Sequence, residues 1–182
     1  MLGAVTAAVN AGAVLGALAM TVWGGTRPRI HTVMVGIVIE SVSTALVGAA
    51  RGPLTIGASL FAQMFAIPIV NAAFISVLQA KVAPDLQGRV FAVIGQVAAL
   101  LTPAAYLIAG PLADKVFEPA ARSAAWGPLV WLTGAGQGAG MGLMFLIAGV
   151  ALALLSLGVY ALPATRQMED TLPDFEAVPR PA

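Results

Sequence analysis

The chain has 182 residues, 59% of them hydrophobic and only 9% charged, with a formal net charge of +1 and no cysteine. A soluble domain carries about 25% charged residues, so this composition excludes a globule covered by polar surface and points to a membrane protein. The missing cysteines exclude a disulfide framework and thiolate chemistry, and no nucleic-acid partner is expected.

Residues 2–24 form the first apolar run and contain no charge. A secretory signal peptide opens with a basic region. No basic residue precedes this run, and Trp23, Arg27 and Arg29 follow it, so it reads as a retained span. Gly12 and Gly16 form a GxxxG, a spacing that lets a second helix approach closely. Thr6, Asn10, Ala13 and Ala17 share another face at helical spacing. That small, polar face is expected to look inward.

After the basic loop at 26–31 comes a second run, 32–50, with Glu40 near its middle. A third run, 54–80, carries Gln63, Pro68, Asn71 and Gln79, and Pro68 is expected to kink it. The polar segment 81–89 is short enough to make the third and fourth runs antiparallel neighbours. The fourth run, 90–113, carries Gln96, Pro103 and Tyr106, which lie roughly on one face with Ala99. Charges and prolines keep 114–131 out of hydrocarbon, and Trp126 and Trp131 suit the interfacial belt. The last run is 138–162. The tail, 164–182, is acidic and proline-rich without a periodic apolar face, and is expected to be disordered.

Each run approaches or exceeds the roughly 20 residues that cross about 30 Å of hydrocarbon. The runs are continuous rather than alternating, which argues against strands. The fold class is therefore all-α: a polytopic transmembrane helix bundle of about five spans at 1–163, in a lipid bilayer, followed by the tail. Arg27, Arg29, Lys81, Arg89, Arg166 and Arg180 fall on one side, Arg51, Lys115 and Arg122 on the other. The basic side is expected to be cytoplasmic, with the N-terminus outside and the C-terminus inside a plasma or inner membrane.

Glu40 is the one acid inside a span, where a charge costs about 2.5–3.5 kcal/mol on insertion scales. Gly36, Ser43 and Thr44 share its face. Two readings stand: a group that takes and releases a proton, or a neutral acid that only packs. Gln63, Asn71 and Gln96 read as buried amides, either bonded between helices at about 0.6 kcal/mol each or lining a cavity. Tyr106 either packs or stacks on a flat hydrophobic substrate. Asp114 and Lys115 read as solvated charges. Gly134, Gly136 and Ala139 spell a dinucleotide-type pattern, but no strand precedes it and no acid follows at about 20 residues. No nucleophile–base set, carboxylate pair or metal cluster is present, so no enzymatic activity and no cofactor are expected.

The segment VAPDLQGRVFAVIG (82–95), the helix end AGPLADKVFEP (109–119) and the tail RQMEDTLPD (166–174) resemble the C-terminal half of a major facilitator superfamily permease. The branch is the macrolide-efflux and enterobactin-exporter type. WGGTRPRI (23–30) sits where that family repeats its G-x-x-x-D-R-x-G-R-R loop, although Gly24 and Gly25 stand where an acid is usual. The resemblance implies helices 8 to 12 of twelve, with the tail and the 81–89 loop cytoplasmic. It implies a secondary active transporter that exports small amphipathic molecules or drugs by proton antiport. It also implies an N-terminal half as partner, since such transporters hold substrate between two halves. Asp85 and Arg89 would form a gating contact at the cytoplasmic mouth, or Arg89 is only a positive-inside anchor. The competing reading is a truncated or non-transporting integral membrane protein that needs a partner chain.

Overall fold

The computed structural model describes residues 2–123, 126–127, 130–134, 136, 138–172 and 174–175. Helix α1 is Leu2–Trp23, α2 is Arg29–Ala49, α3 is Pro53–Lys81 and α4 is Pro84–Leu112. A π-helical stretch, Ala113–Phe117, continues α4 into the single turn α5 (Glu118–Ala121). After the short α6 (Val130–Thr133) come α7 (Ala139–Ala161) and two turns of the tail, α8 (Pro163–Arg166) and α9 (Met168–Thr171). Five of these segments are long and apolar enough to cross a membrane, and no strand occurs among the described residues. This is an all-α helical bundle with the architecture of a multi-pass membrane protein.

Local signals explain the helix starts. Pro53 and Pro84 sit in the first turns of α3 and α4, where their missing amide hydrogens cost nothing. At α3 the Gly52 amide donates to Thr55 Oγ1 at 3.2 Å, and the same hydroxyl donates back to the Gly52 carbonyl at 2.8 Å. Asp85 lies in the first turn of α4, where the helix dipole favours an acid. These signals start α4 before its apolar run begins. The connection from α3 is therefore Val82 and Ala83 rather than the polar segment 81–89.

The long helices pack in the order α1, α3, α2, α7. Glycine decides each contact, because helices in lipid associate by close packing rather than by hydrophobic exclusion. A Cβ on Gly12 would lie 2.5 Å from the Phe61 carbonyl oxygen, and one on Gly16 would strike the Phe65 carbonyl. The GxxxG of α1 thus seats it on α3 within the chain. Gly36 of α2 meets Val70 of α3, and Gly149 of α7 lies on the backbone of Ser41 and Ala45 in α2. The polar face expected to turn inward does not do so: Thr6, Asn10 and Ala17 are exposed and Ala13 is half-buried. Small size outcompeted polarity, since only the glycine face admits α3.

No residue of α4 is buried. It barely touches α3, although α5 and the π-helical stretch rest on α7. The short link therefore does not make α3 and α4 packed neighbours along their length. Val82 and Ala83 are both extended, and α4 offers no glycine with an atom of another element close to it.

Candidate functional site

Glu40 lies on α2, half-buried, in the row Gly36–Glu40–Thr44. Gly36 meets Val70 of α3, and Thr44 accepts a hydrogen bond from Gln63 Nε2 of α3 at 2.9 Å. Positions four apart share a helix face, so Glu40 sits over α3 between these two contacts. Thr44 Oγ1 donates to the Glu40 carbonyl at 2.8 Å, which orients it to accept from Gln63. Among the described residues no group hydrogen-bonds the Glu40 carboxyl itself. A mid-span acid is thus held beside a satisfied polar pair with its own oxygens left for a proton, water or ligand.

The structure does not bring the other candidates to this row. Asn71, read as a buried amide, is exposed on α3, and Gln96 is exposed on α4. Tyr106 is 77% exposed. The cause for Gln96 and Tyr106 is the isolation of α4, which no neighbouring helix covers. Asp85 and Arg89 are both exposed, and among the described residues they form no ion pair. Asp114 and Lys115 are exposed on the π-helical stretch. Gly134 and Gly138 adopt positive φ near 84° and 90° in the turns before α7, so this glycine cluster serves chain reversal.

Beside Glu40's row is a cavity of about 230 Å³, missed by sequence reasoning. Its floor is Phe65, Ala66 and Ile69 of α3, and Trp23, Val35 and Ile39 wall it. It forms because α1 and α2 flank α3 with a groove between them. His31 closes one end; its Nδ1 and Tyr160 Oη of α7 are 3.1 Å apart, with the rings edge to face at 5.7 Å.

At that same end the tail, for which disorder is expected from sequence, forms the turns α8 and α9 against the ends of α2 and α3; residues 173 and 176–182, including Arg180, lie outside the described residues. Met168 packs on the cluster of Ile30, Val33 and Ala73. The Ile30 amide at the start of α2 donates to Glu169 Oε1 at 2.5 Å. Lys81 Nζ, in the last turn of α3, donates to the carbonyls of Glu169 at 2.8 Å and of Leu172, and pairs with Asp174 at 2.9 Å. The Phe175 amide donates to the Ala80 carbonyl at 2.9 Å. An acid at a helix start and a base at a helix end both suit the dipole. One methionine and matched end groups hold these turns in place without any periodic apolar pattern.

The hydrogen bond from Lys81, and then its charge, hold the Asp174 carboxyl below the usual aspartate range. A depressed folded-state pKa contributes docking strength above the unfolded value and loses it as pH falls through the folded one. The expected result is a tail that stays docked at neutral pH and loosens below about pH 4. Amide exchange of residues 163–175 across an acid titration measures it. The readout is protection relative to the intrinsic rate at each pH, and protection that is lost at neutral pH instead would contradict the assignment.

At the opposite end Glu118 caps α7, which sequence reasoning also missed. It accepts from the Gly140 amide at 2.8 Å and the Gly138 amide at 3.3 Å, and pairs with Arg122 at 2.6 Å. Arg51 Nη2 donates to the Val130 carbonyl at 2.7 Å at this end as well. The described residues contain no His, Cys, Asp and Glu group suited to a metal. Comparison of the chain with protein-family models, curated proteins and solved structures finds no match.

Proposed function

We propose that the chain is the C-terminal half of a secondary active transporter of the major facilitator type, exporting small amphipathic molecules by proton antiport. The observation that carries this reading is Glu40: a half-buried acid at mid-span whose carboxyl has no partner among the described residues. Ionisable groups inside a membrane are costly and mark ion or substrate paths. The bare flank of α4 supports a second set of spans as partner. The test is export of a hydrophobic cationic dye from vesicles that hold this chain together with the product of the reading frame upstream. Dye export that follows an imposed proton gradient is expected. Its absence with both chains inserted favours the non-transporting membrane protein instead.

The orientation follows from the six-to-three distribution of Lys and Arg. A fluorescent protein fused after Ala182 is expected to glow, and alkaline phosphatase at the same position to be inactive. Active phosphatase there reverses the assignment of sides.

A further inference from the structure

The apolar contribution to tail docking is small. Among the described residues of 166–174, Met168 is the one partly buried hydrophobe packed on a core cluster. The remaining contacts are polar, and they lie at the helix ends, with the Lys81 side chain 14% exposed beneath the tail. Charges gather around them in a complementary set. A cavity of about 590 Å³ is lined by Arg27, Arg29 and Lys81 from the helix ends and by Glu169, Asp170 and Asp174 from the tail. Every base in it comes from the membrane helices or their connection, and every acid from the tail. The side chains of Arg27 and Arg29 form no ion pair or hydrogen bond among the described residues, and Arg29 acts on Asp174 through its charge alone.

From this arrangement we propose that residues 163–172, with Asp174 and Phe175, are a releasable electrostatic latch that fastens the start of α2 to the end of α3. The argument turns on reversibility. Solvent-exposed ion pairs are individually weak and are screened by salt. The side chain of Asp174 is 67% exposed. The groups freed on release, namely the Ile30 amide, the Ala80 carbonyl and Lys81, lie at helix ends where water replaces the tail. Neither state strands a polar group in hydrocarbon, so a modest change in charge moves the equilibrium.

The latch also has a mechanical lever. Lys81 is the last residue of α3, and only Val82 and Ala83 separate it from α4. The Gln87 side chain donates to the carbonyls of Gln79 and Val82 at 3.1 and 3.0 Å, coupling the first turn of α4 to the same point. Holding Lys81 therefore holds the root of α4, the one long helix without lateral support. Release frees that root and parts the bridge between α2 and α3. The device does not depend on what the protein transports.

The chain contains no cysteine, so Met168→Cys supplies a single thiol. Its reaction with a maleimide is followed in reconstituted vesicles. At low salt the thiol is expected to react slowly. At roughly 1 M salt, where screening falls to about 3 Å, the rate is expected to rise about tenfold. Lys81→Gln should give the fast rate already at low salt, and Lys81→Arg should restore the slow one. A thiol placed instead at Ser41, which is fully buried between α2 and α7, should stay slow throughout. If it reacts in the Lys81→Gln background, that variant has lost its fold and the salt series with Lys81 intact decides. Amide exchange of residues 163–175 in the unsubstituted chain provides the same salt comparison without any substitution. A rate indifferent to salt overturns the proposal, as does a Lys81→Gln variant that folds and reacts slowly. The tail is then fixed packing rather than a latch.

Discussion

Gly149→Leu is expected to separate α7 from α2 and to cause the largest stability loss of any single change on this face. A Cβ at Gly149 would lie 2.6 Å from the Ser41 carbonyl oxygen and would also strike the backbone of Ala45. Backbone atoms in a helix cannot rotate aside as a side chain can, so the helices must move apart. Overpacking costs about 1–3 kcal/mol where side chains give way, and this site stands at the upper end or beyond. In a chain of this size 1 kcal/mol shifts a melting temperature by about 2–4 °C. Gly158 lies on the same helix with nothing near its Cβ position. Gly158→Leu is therefore the matched control, expected to melt as the unsubstituted protein does. Thermal unfolding of both variants in one detergent makes the comparison. Equal melting temperatures for the two would mean that the α2–α7 contact is not set by Gly149.

The largest functional effect is expected from Glu40→Gln. Glu40 is the twelfth residue of α2 and has eleven helix residues before it and nine after it, so its short side chain cannot reach either interface. The substitution keeps size and a polar end but removes titration. On the proposed transport function, gradient-driven export by this chain with its partner is expected to fall to background, while expression and dye binding persist. Glu40→Asp should keep part of the activity with an altered pH profile. Stability should be unchanged or slightly higher in Glu40→Gln, since burying a neutral amide costs less than burying a charge. That split between transport and stability is the diagnostic. Wild-type export by the Gln variant at every pH removes Glu40 from the mechanism and leaves it a packing residue.

The five spans were legible because length and lack of charge are sufficient to define them in hydrocarbon. Glu40 was legible for the same reason: one acid stands out in an apolar run. Gln63 was singled out as an amide, and its bond to Thr44 is the interhelical use weighed for it. Asn71, Gln96 and Tyr106 are exposed in this chain, and polarity alone does not say which face of a helix finds a neighbour. On α1 that choice went to Gly12 and Gly16, whose lack of a side chain admits the backbone of α3. Glu118 and the tail escaped notice for a different reason. Their contacts join positions 20 or more residues apart, as in Glu118 with Gly138 and Glu169 with Ile30, and no local pattern announces such a pair.

The packing order bears on how the chain is made. Helix α3 lies between α1 and α2, which pack on its two flanks. A ribosome delivers α1 and α2 before α3, so the hairpin these two helices form lacks the surface that joins its halves. Each half must wait until α3 emerges and wedges between them. The glycines of α1 and Gly36 of α2 then dock on one newcomer almost together. Packing of these helices is thus delayed until α3 emerges, and a nascent chain in which only α1 and α2 have entered the membrane would hold two loose helices, open to whatever insertase or quality-control protease recognises unpaired spans.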